Sequence, residues 1–272
     1  MNNEEKLEKA RKERLGSVNI SNEGYEMKII EYNGVRNIVV EFQDEYKTKV
    51  TTRYQHFKDG NVKNPFHKTL YGVGYYGVGK YKSRDNNQES IIYKYWRSMM
   101  NRCYNPYYIN KELSYIDCYV CEEWHNFQNF AEWFDENYYE CNDEKMNLDK
   151  DILYKGNKIY SPETCIFVPQ RINSLFVKTT ASRGEYPIGV SLKRASSSDN
   201  ITRLRVGCSI RENNKIKQKF LGLFPLDRPF QAFTCYKQFK ENYIKQVADE
   251  YKDLIPIKLY EAMYNYKIEI ND

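Results

Sequence analysis

No run of apolar residues in this 272-residue chain approaches the length of about eighteen that a membrane-spanning helix requires. A helical anchor is therefore excluded, and no membrane partner is expected. The residues after Met1, NNEEKLEKARKERLG, are charged throughout and contain no apolar core of a secretory leader. Seven cysteines, an odd number, then read as reduced thiols in a cytoplasmic protein. Histidine is scarce as well, limited to His56, His67 and His125.

Charge is abundant but unevenly placed. Between Gly184 and Phe224 eight Lys and Arg stand against three acids, an excess equal to the net charge of +5 of the entire chain. Between Tyr115 and Asp151 eleven acids face only Lys145 and Lys150. The first segment attracts polyanions; the second repels them unless a metal or a partner intervenes.

Periodicity divides the chain into a multidomain α+β protein. Residues 1–15 form a polar helix or a solvated tail, because Leu7 and Leu15 are too sparse for an apolar stripe. Residues 16–89 read as a small β-rich module, with strands MKIIEY, NIVVEFQD and KVTTRYQHF and a turn at Asn33-Gly34. Its last part, YGVGYYGVGKY (Tyr71–Tyr81), has the glycines of a phosphate loop or of a GIY-YIG nuclease. It lacks the following helix and the Lys-Ser/Thr or GxGxxG spacing, so a bulged strand or turn pair is the expectation.

Residues 90–178 open on SIIYKYWRSMMNRCY, amphipathic through Ile92, Trp96, Met99 and Cys103. A second helix carries an aromatic face of Trp124, Phe127, Phe130, Ala131 and Phe134, which reads as core, with His125 at its surface or cap. Then follow a strand, a Gly156-Asn157 turn, a strand and a short helix ending near Asn173. KTTASRGE is a linker, residues 184–252 form a third domain, and residues 253–272 return to pack on an earlier one.

The third domain reads as a three-stranded antiparallel sheet plus a helix. In ITRLRVGCSIR, Arg203, Arg205 and Arg211 alternate with Leu204, Val206, Cys208 and Ile210, so period two separates a basic from an apolar face. The neighbouring strands repeat the pattern, with Ser191 and Lys193 against Val190 and Leu192, and Lys215, Lys217 and Lys219 against Ile216, Gln218 and Phe220. Asn213-Asn214 supplies the hairpin turn, and Ala232, Phe233, Tyr236, Phe239, Tyr243 and Val247 give the helix an apolar face to cover the sheet. A basic face on three adjacent strands without an acid repels itself unless it meets an anion, which points to double-stranded DNA.

GVSLKR, RLRVGCSIR and KFLGLF, followed by the helix at FQAFTCYK, resemble the APETALA/ethylene-response-factor DNA-binding domain, which phage and mobile-element endonucleases also carry. Gly189-Val190, Ile210-Arg211 and Leu221-Gly222-Leu223-Phe224 match that family. Phe220 stands where it has tryptophan, and Ser191 where it has arginine. The resemblance implies that Ser191, Lys193, Arg203, Arg205, Arg211, Lys215, Lys217 and Lys219 bind DNA; the altered base-reading positions leave the target sequence open.

The middle block resembles the HNH-like endonucleases of phages. Trp96, Met99, Arg102 and Cys103 match, then Val120, Cys121, Trp124, Phe127 and Phe130, then Leu148-Asp149-Lys150-Asp151, Tyr160-Ser161-Pro162-Glu163-Thr164-Cys165 and Asn173. The resemblance implies a ββα-derived domain whose catalytic positions are degenerate: Lys150 stands in the place of the general-base histidine, Thr164 in that of the central asparagine, and Asn173 matches. A lysine is cationic near neutral pH and serves better as a phosphate anchor than as a base. Asp149 and Asp151 are the candidates to hold Mg²⁺ or Mn²⁺ if the domain cleaves, and Cys118 and Cys121 make half of a structural zinc site. The expectation is a DNA-binding protein of a phage or mobile element, working in the host cytoplasm, with a non-cleaving HNH-like domain. The alternatives are a metal-dependent homing-type nicking endonuclease, and a counter-defence effector that binds a host protein or nucleoprotein through residues 115–151.

Overall fold

In the computed structural model, which describes residues 2–111, 115–177, 185–194, 201–212, 215–270 and 272, the polar N-terminal segment is a helix, α1 (Asn3–Arg14). Its start is a capping box: the Asn2 side chain accepts from the Glu5 N–H, and the Glu5 carboxylate accepts from the Asn2 N–H. The helix has no buried residue of its own, but Leu7 leans on the adjacent core and Arg11 Nε donates to the Tyr32 carbonyl at 3.0 Å.

That core belongs to a four-stranded antiparallel meander, β1 (Val18–Ile20), β2 (Glu26–Tyr32), β3 (Ile38–Phe42) and β4 (Lys49–Thr52), paired in chain order. Met27, Ile29, Ile38, Val40 and Phe42 are fully buried, as the alternation in MKIIEY and NIVVEF requires. The third expected strand stops early, because Tyr54–Lys58 is a short helix, α2, whose Phe57 closes the end of the core.

The glycine-rich run is neither strand nor phosphate loop. It forms isolated bridges, Leu70 with Gly74 and Tyr75 with Asn126, and is held by the buried Gln128 side chain. Gln128 accepts from the Tyr81 N–H and donates to the Tyr81 carbonyl, both at 3.0 Å. Close approach explains the glycines: a Cβ on Gly77, at φ +73°, would lie 2.0 Å from Asn126 Oδ1.

Beyond a two-stranded ribbon, β5 (Arg84–Asp85) and β6 (Gln88–Glu89), come α3 (Ile91–Tyr104) and α4 (Pro106–Lys111). A short strand β7 (Tyr119–Val120) leads through a 3₁₀ turn at Glu122–His125 into α5 (Phe127–Asn137). Trp96, Trp124, Phe127 and Phe130 are completely buried together, and Trp96 Nε1 donates to the Trp124 carbonyl at 2.7 Å. His125, expected at the surface or a cap, ends the 3₁₀ turn. It is half-buried, its Nε2 is 3.0 Å from the Val120 carbonyl, and burial lowers its pKa.

The segment 90–178, expected as one domain, is divided. One compact unit comprises Met1–Glu136 with Ile159–Ser161, and the other Asn137–Lys158 with Pro162–Asp272. The physical reason is where each part finds its packing partners. The aromatic stripe of α5 is used up on α3 and the glycine-rich segment: Phe127 meets Trp96 at 5.5 Å and Tyr76 at 5.4 Å between ring centres. Strand β8 (Met146–Asp149) and the short strand β9 (Ile159–Tyr160) part company here, since β9 pairs in parallel with β7 in the first unit.

In the second unit β8 pairs antiparallel with β10 (Ile166–Pro169), and α6 (Gln170–Phe176) follows at once and packs on both strands, a ββα order. A three-stranded antiparallel sheet, β11 (Val190–Lys193), β12 (Arg203–Glu212) and β13 (Lys215–Phe224), is backed by the long helix α7 (Pro229–Glu250). Of the expected KTTASRGE linker, residues 178–184 lie outside the described residues, as does the Asn213-Asn214 turn. The returning C-terminal segment packs on α7 through Leu259 and Met263 of α8 (Ile257–Tyr264). It then meets the loop after β8, where Lys155 Nζ lies 2.7 Å from the Asp272 carboxylate. Among the described residues no helix is long and apolar enough to cross a membrane.

Candidate nucleic-acid interface

Strand β12 is ten residues long and central, so it decides which side chains share a face. Leu204, Val206 and Cys208 are buried beneath α7, which leaves Arg203, Arg205, Ser209 and Arg211 on the other side. Residues directly opposite in an antiparallel pair point the same way. Ser191 is opposite Arg205, and Lys193 is opposite Arg203, so β11 adds both expected side chains to the open face. Arg205 is exposed, and Arg203 and Arg211 are half-buried.

The expectation for β13 needs correction. Up to Val206 opposite Gly222 the pairing is regular, but Gly207 is opposite Phe220, so Leu221 is an extra residue and a β-bulge. Beyond the bulge the parity is reversed. Lys219 lies opposite Cys208, Lys217 opposite Ile210, and Lys215 opposite Glu212, which places all three lysines on the helix side. Lys217 Nζ is bonded there to Glu212 Oε2 at 3.0 Å. The open face receives Ile216, Gln218 and Phe220 instead, opposite Arg211, Ser209 and Gly207. Ile216 is 71% exposed and Phe220 53%, values that leave both side chains open to a ligand. The Arg205 guanidinium sits 5.9 Å from the centre of the Phe220 ring, a cation–π distance. A signal for this existed in the sequence: Gly207 and Gly222 both interrupt strand interiors, where a glycine marks a bulge.

The resulting surface is a basic strip with apolar and amide groups interleaved. Among the described residues of the three strands no Asp or Glu lies on it, and no described carboxylate pairs with Arg203, Arg205 or Arg211. Its cations therefore repel one another when the face is empty of anions.

The HNH-like residues are placed differently. Asp149 ends β8, and its Oδ1 accepts the backbone N–H groups of Asp151 at 2.9 Å and Ile152 at 2.8 Å. Burial, reinforced by the neighbouring Asp151 carboxylate, raises its pKa to about 6. Lys150 is buried; its Nζ donates to the Asn157 carbonyl at 2.9 Å and lies 3.2 Å from Asp151 Oδ2. Asn157 Nδ2 returns a bond to the Lys150 carbonyl at 2.6 Å, closing the loop on itself. Asn173 is half-buried on α6, and among the described residues no hydrogen bond joins it to Asp149, Lys150 or Asp151.

This arrangement does not suit a divalent cation. One Asp149 oxygen is held by two amides, and an ammonium already stands beside Asp151. Cys118 is buried and Cys121 half-buried, both as thiols outside any disulfide. Among the described residues no group of three or more His, Cys, Asp or Glu side chains is arranged to hold a metal ion.

The fold and this surface define a multidomain α+β protein with a one-sided basic sheet. Comparison with protein-family models, curated proteins and solved structures finds no match to the chain.

Proposed function

We propose that this chain is a double-stranded-DNA-binding protein of phage or mobile-element type, in which the open face of β11–β13 reads DNA and the ββα segment serves as a non-cleaving scaffold. The observation that carries the reading is the acid-free strip of Arg203, Arg205 and Arg211, whose guanidinium groups have no carboxylate partner among the described residues. A two-stranded ribbon fits the major groove, where arginine serves phosphates or guanine edges, glutamine the adenine edge, and apolar groups the thymine methyl. Gln218, Ile216 and Phe220, brought to this face by the bulge, give it that mixed chemistry. The scaffold reading is supported by Asp149 and Lys150, whose polar atoms are spent on the turn between β8 and Asn157.

Gel-shift titration over a salt series tests the DNA reading. Arg203→Ala/Arg205→Ala weakens binding tenfold or more, and lowers the slope of log K against log salt by up to about 0.9 for each phosphate no longer neutralised. Lys217→Ala/Lys219→Ala, on the helix side, leaves both nearly unchanged. The reverse pattern refutes the face assignment. Supercoiled plasmid incubated with the protein and Mg²⁺ or Mn²⁺ stays intact; nicking that Asp149→Ala abolishes would establish a nuclease instead.

A further inference from the structure

Lys240 is 8% exposed on α7, facing β12, and among the described residues it has neither a hydrogen-bond acceptor nor a carboxylate partner. Its electrostatic neighbour is the Cys208 thiol, and burial lowers its proton affinity. Burial without a carboxylate beside it disfavours the charged form of this amine, and an anion that reached it through an opening would favour that form again.

Beside Lys240 opens a groove of about 960 Å³, at the upper end of the size of small-molecule sites. Tyr236, Tyr243 and Tyr266 contribute to its walls. It runs along an unpaired stretch of β12, because β11 pairs only as far as Val206 and Gly189 accepts from the Gly207 N–H. Two residues beyond Ser209, the Arg211 N–H is bonded by Tyr243 Oη at 2.8 Å. By the same period-two alternation the Ser209 N–H, between Gly207 and Arg211, points to the groove side. Among the described residues that line the groove, the Asp272 carboxylate is already bonded to Lys155, leaving Glu185 against Arg205, Arg211, Lys219 and Lys240.

We infer that this groove binds a nucleoside phosphate, with the phosphate on Lys240 and the base against the tyrosine walls. A phosphate monoester supplies negative charge to Lys240, and the half-buried Tyr243 and Tyr266 offer ring surface to a base. The groove shares Arg205, Arg211, Ile216 and Gln218 with the open face of the sheet, whereas Lys240 lies on α7 behind it, and the inference rests on Lys240 rather than on the DNA reading. The same chemistry comes from a free nucleotide or from the 5′-phosphorylated end of a strand.

Calorimetric titration of the full chain uses AMP, adenosine, inorganic phosphate and a 5′-phosphorylated thymidine tetranucleotide. AMP or the tetranucleotide binds at least tenfold more tightly than adenosine or phosphate alone. AMP binding above the tetranucleotide identifies a free nucleotide, and the opposite order a strand end. Lys240→Met reduces the affinity tenfold or more and Lys240→Arg restores part of it. Removing a buried unpaired charge keeps Tm of Lys240→Met at or above wild type, and the gel shift is unchanged. No binding of AMP or tetranucleotide at millimolar concentration, phosphate binding as tightly as AMP, or equal affinity in Lys240→Met overturns the assignment.

Discussion

Gly189→Ala is the sharpest perturbation of the candidate DNA-reading unit. Gly189 sits where the chain turns into β11, at φ +76°, and its carbonyl accepts the Gly207 N–H at 3.0 Å. A Cβ there would lie 2.0 Å from Cδ2 of the Tyr236 ring, itself 7% exposed on α7. Two costs follow. Holding an L-residue in the left-handed region costs roughly 1–2 kcal/mol. Displacing a buried ring adds about 1–3 kcal/mol of overpacking. Together they predict a loss of about 3 kcal/mol, a large fraction of a typical domain's stability. The two parts separate in a double-mutant cycle. Tyr236→Ala alone costs about 3–5 kcal/mol by emptying the site, in the range of a large aromatic deletion. In that background Gly189→Ala adds only the backbone cost, so the coupling is about 2 kcal/mol in the rescuing direction. Urea unfolding followed by far-UV circular dichroism measures these values. Tryptophan emission serves as an internal reference, since Trp96, Trp124 and Trp133 all belong to the other unit. A loss below about 1 kcal/mol for Gly189→Ala, or no rescue in the double mutant, refutes the packing of α7 on the β11 turn.

Two further outcomes test the remaining features. The Asp149 carboxyl titrates at about 6 against an ordinary 3.8, so the folded state binds its proton more tightly than the unfolded chain. Stability from this group is present below about pH 4 and is lost as pH rises through 6, with a ceiling of about 3 kcal/mol at roughly 1.4 kcal/mol per pH unit. Asp149→Asn keeps an acceptor for the Asp151 and Ile152 amides; it therefore raises Tm at pH 8 but not at pH 4, and a uniform loss at both would contradict the burial of this carboxyl. Gln128→Ala leaves the Tyr81 N–H and carbonyl without their partner and opens a cavity. It costs about 2–4 kcal/mol by urea titration, and an effect under about 0.5 kcal/mol would mean the glycine-rich segment is held by something else.

Much of the fold was legible in the sequence because local chemistry and final environment agree. The alternation of Arg203, Leu204, Arg205 and Val206 is kept residue for residue, since β12 is central and one side is covered by α7. The same holds for MKIIEY in β2 and for the aromatic stripe of α5. Other features depend on partners distant in sequence. Tyr71–Tyr81 takes its form from Gln128 and Asn126, and residues 90–178 are shared between units because β9 pairs with β7 rather than with β8. The candidate interface shows the same division. Sequence alone determined that a basic, half-apolar sheet with a covering helix exists and which residues of β11 and β12 face outward. Only the tertiary structure decided the face of β13, because one bulged residue, Leu221, reverses every side chain beyond it. With a period of two, a single extra residue moves Lys215, Lys217 and Lys219 to the helix side and brings Ile216, Gln218 and Phe220 to the arginines.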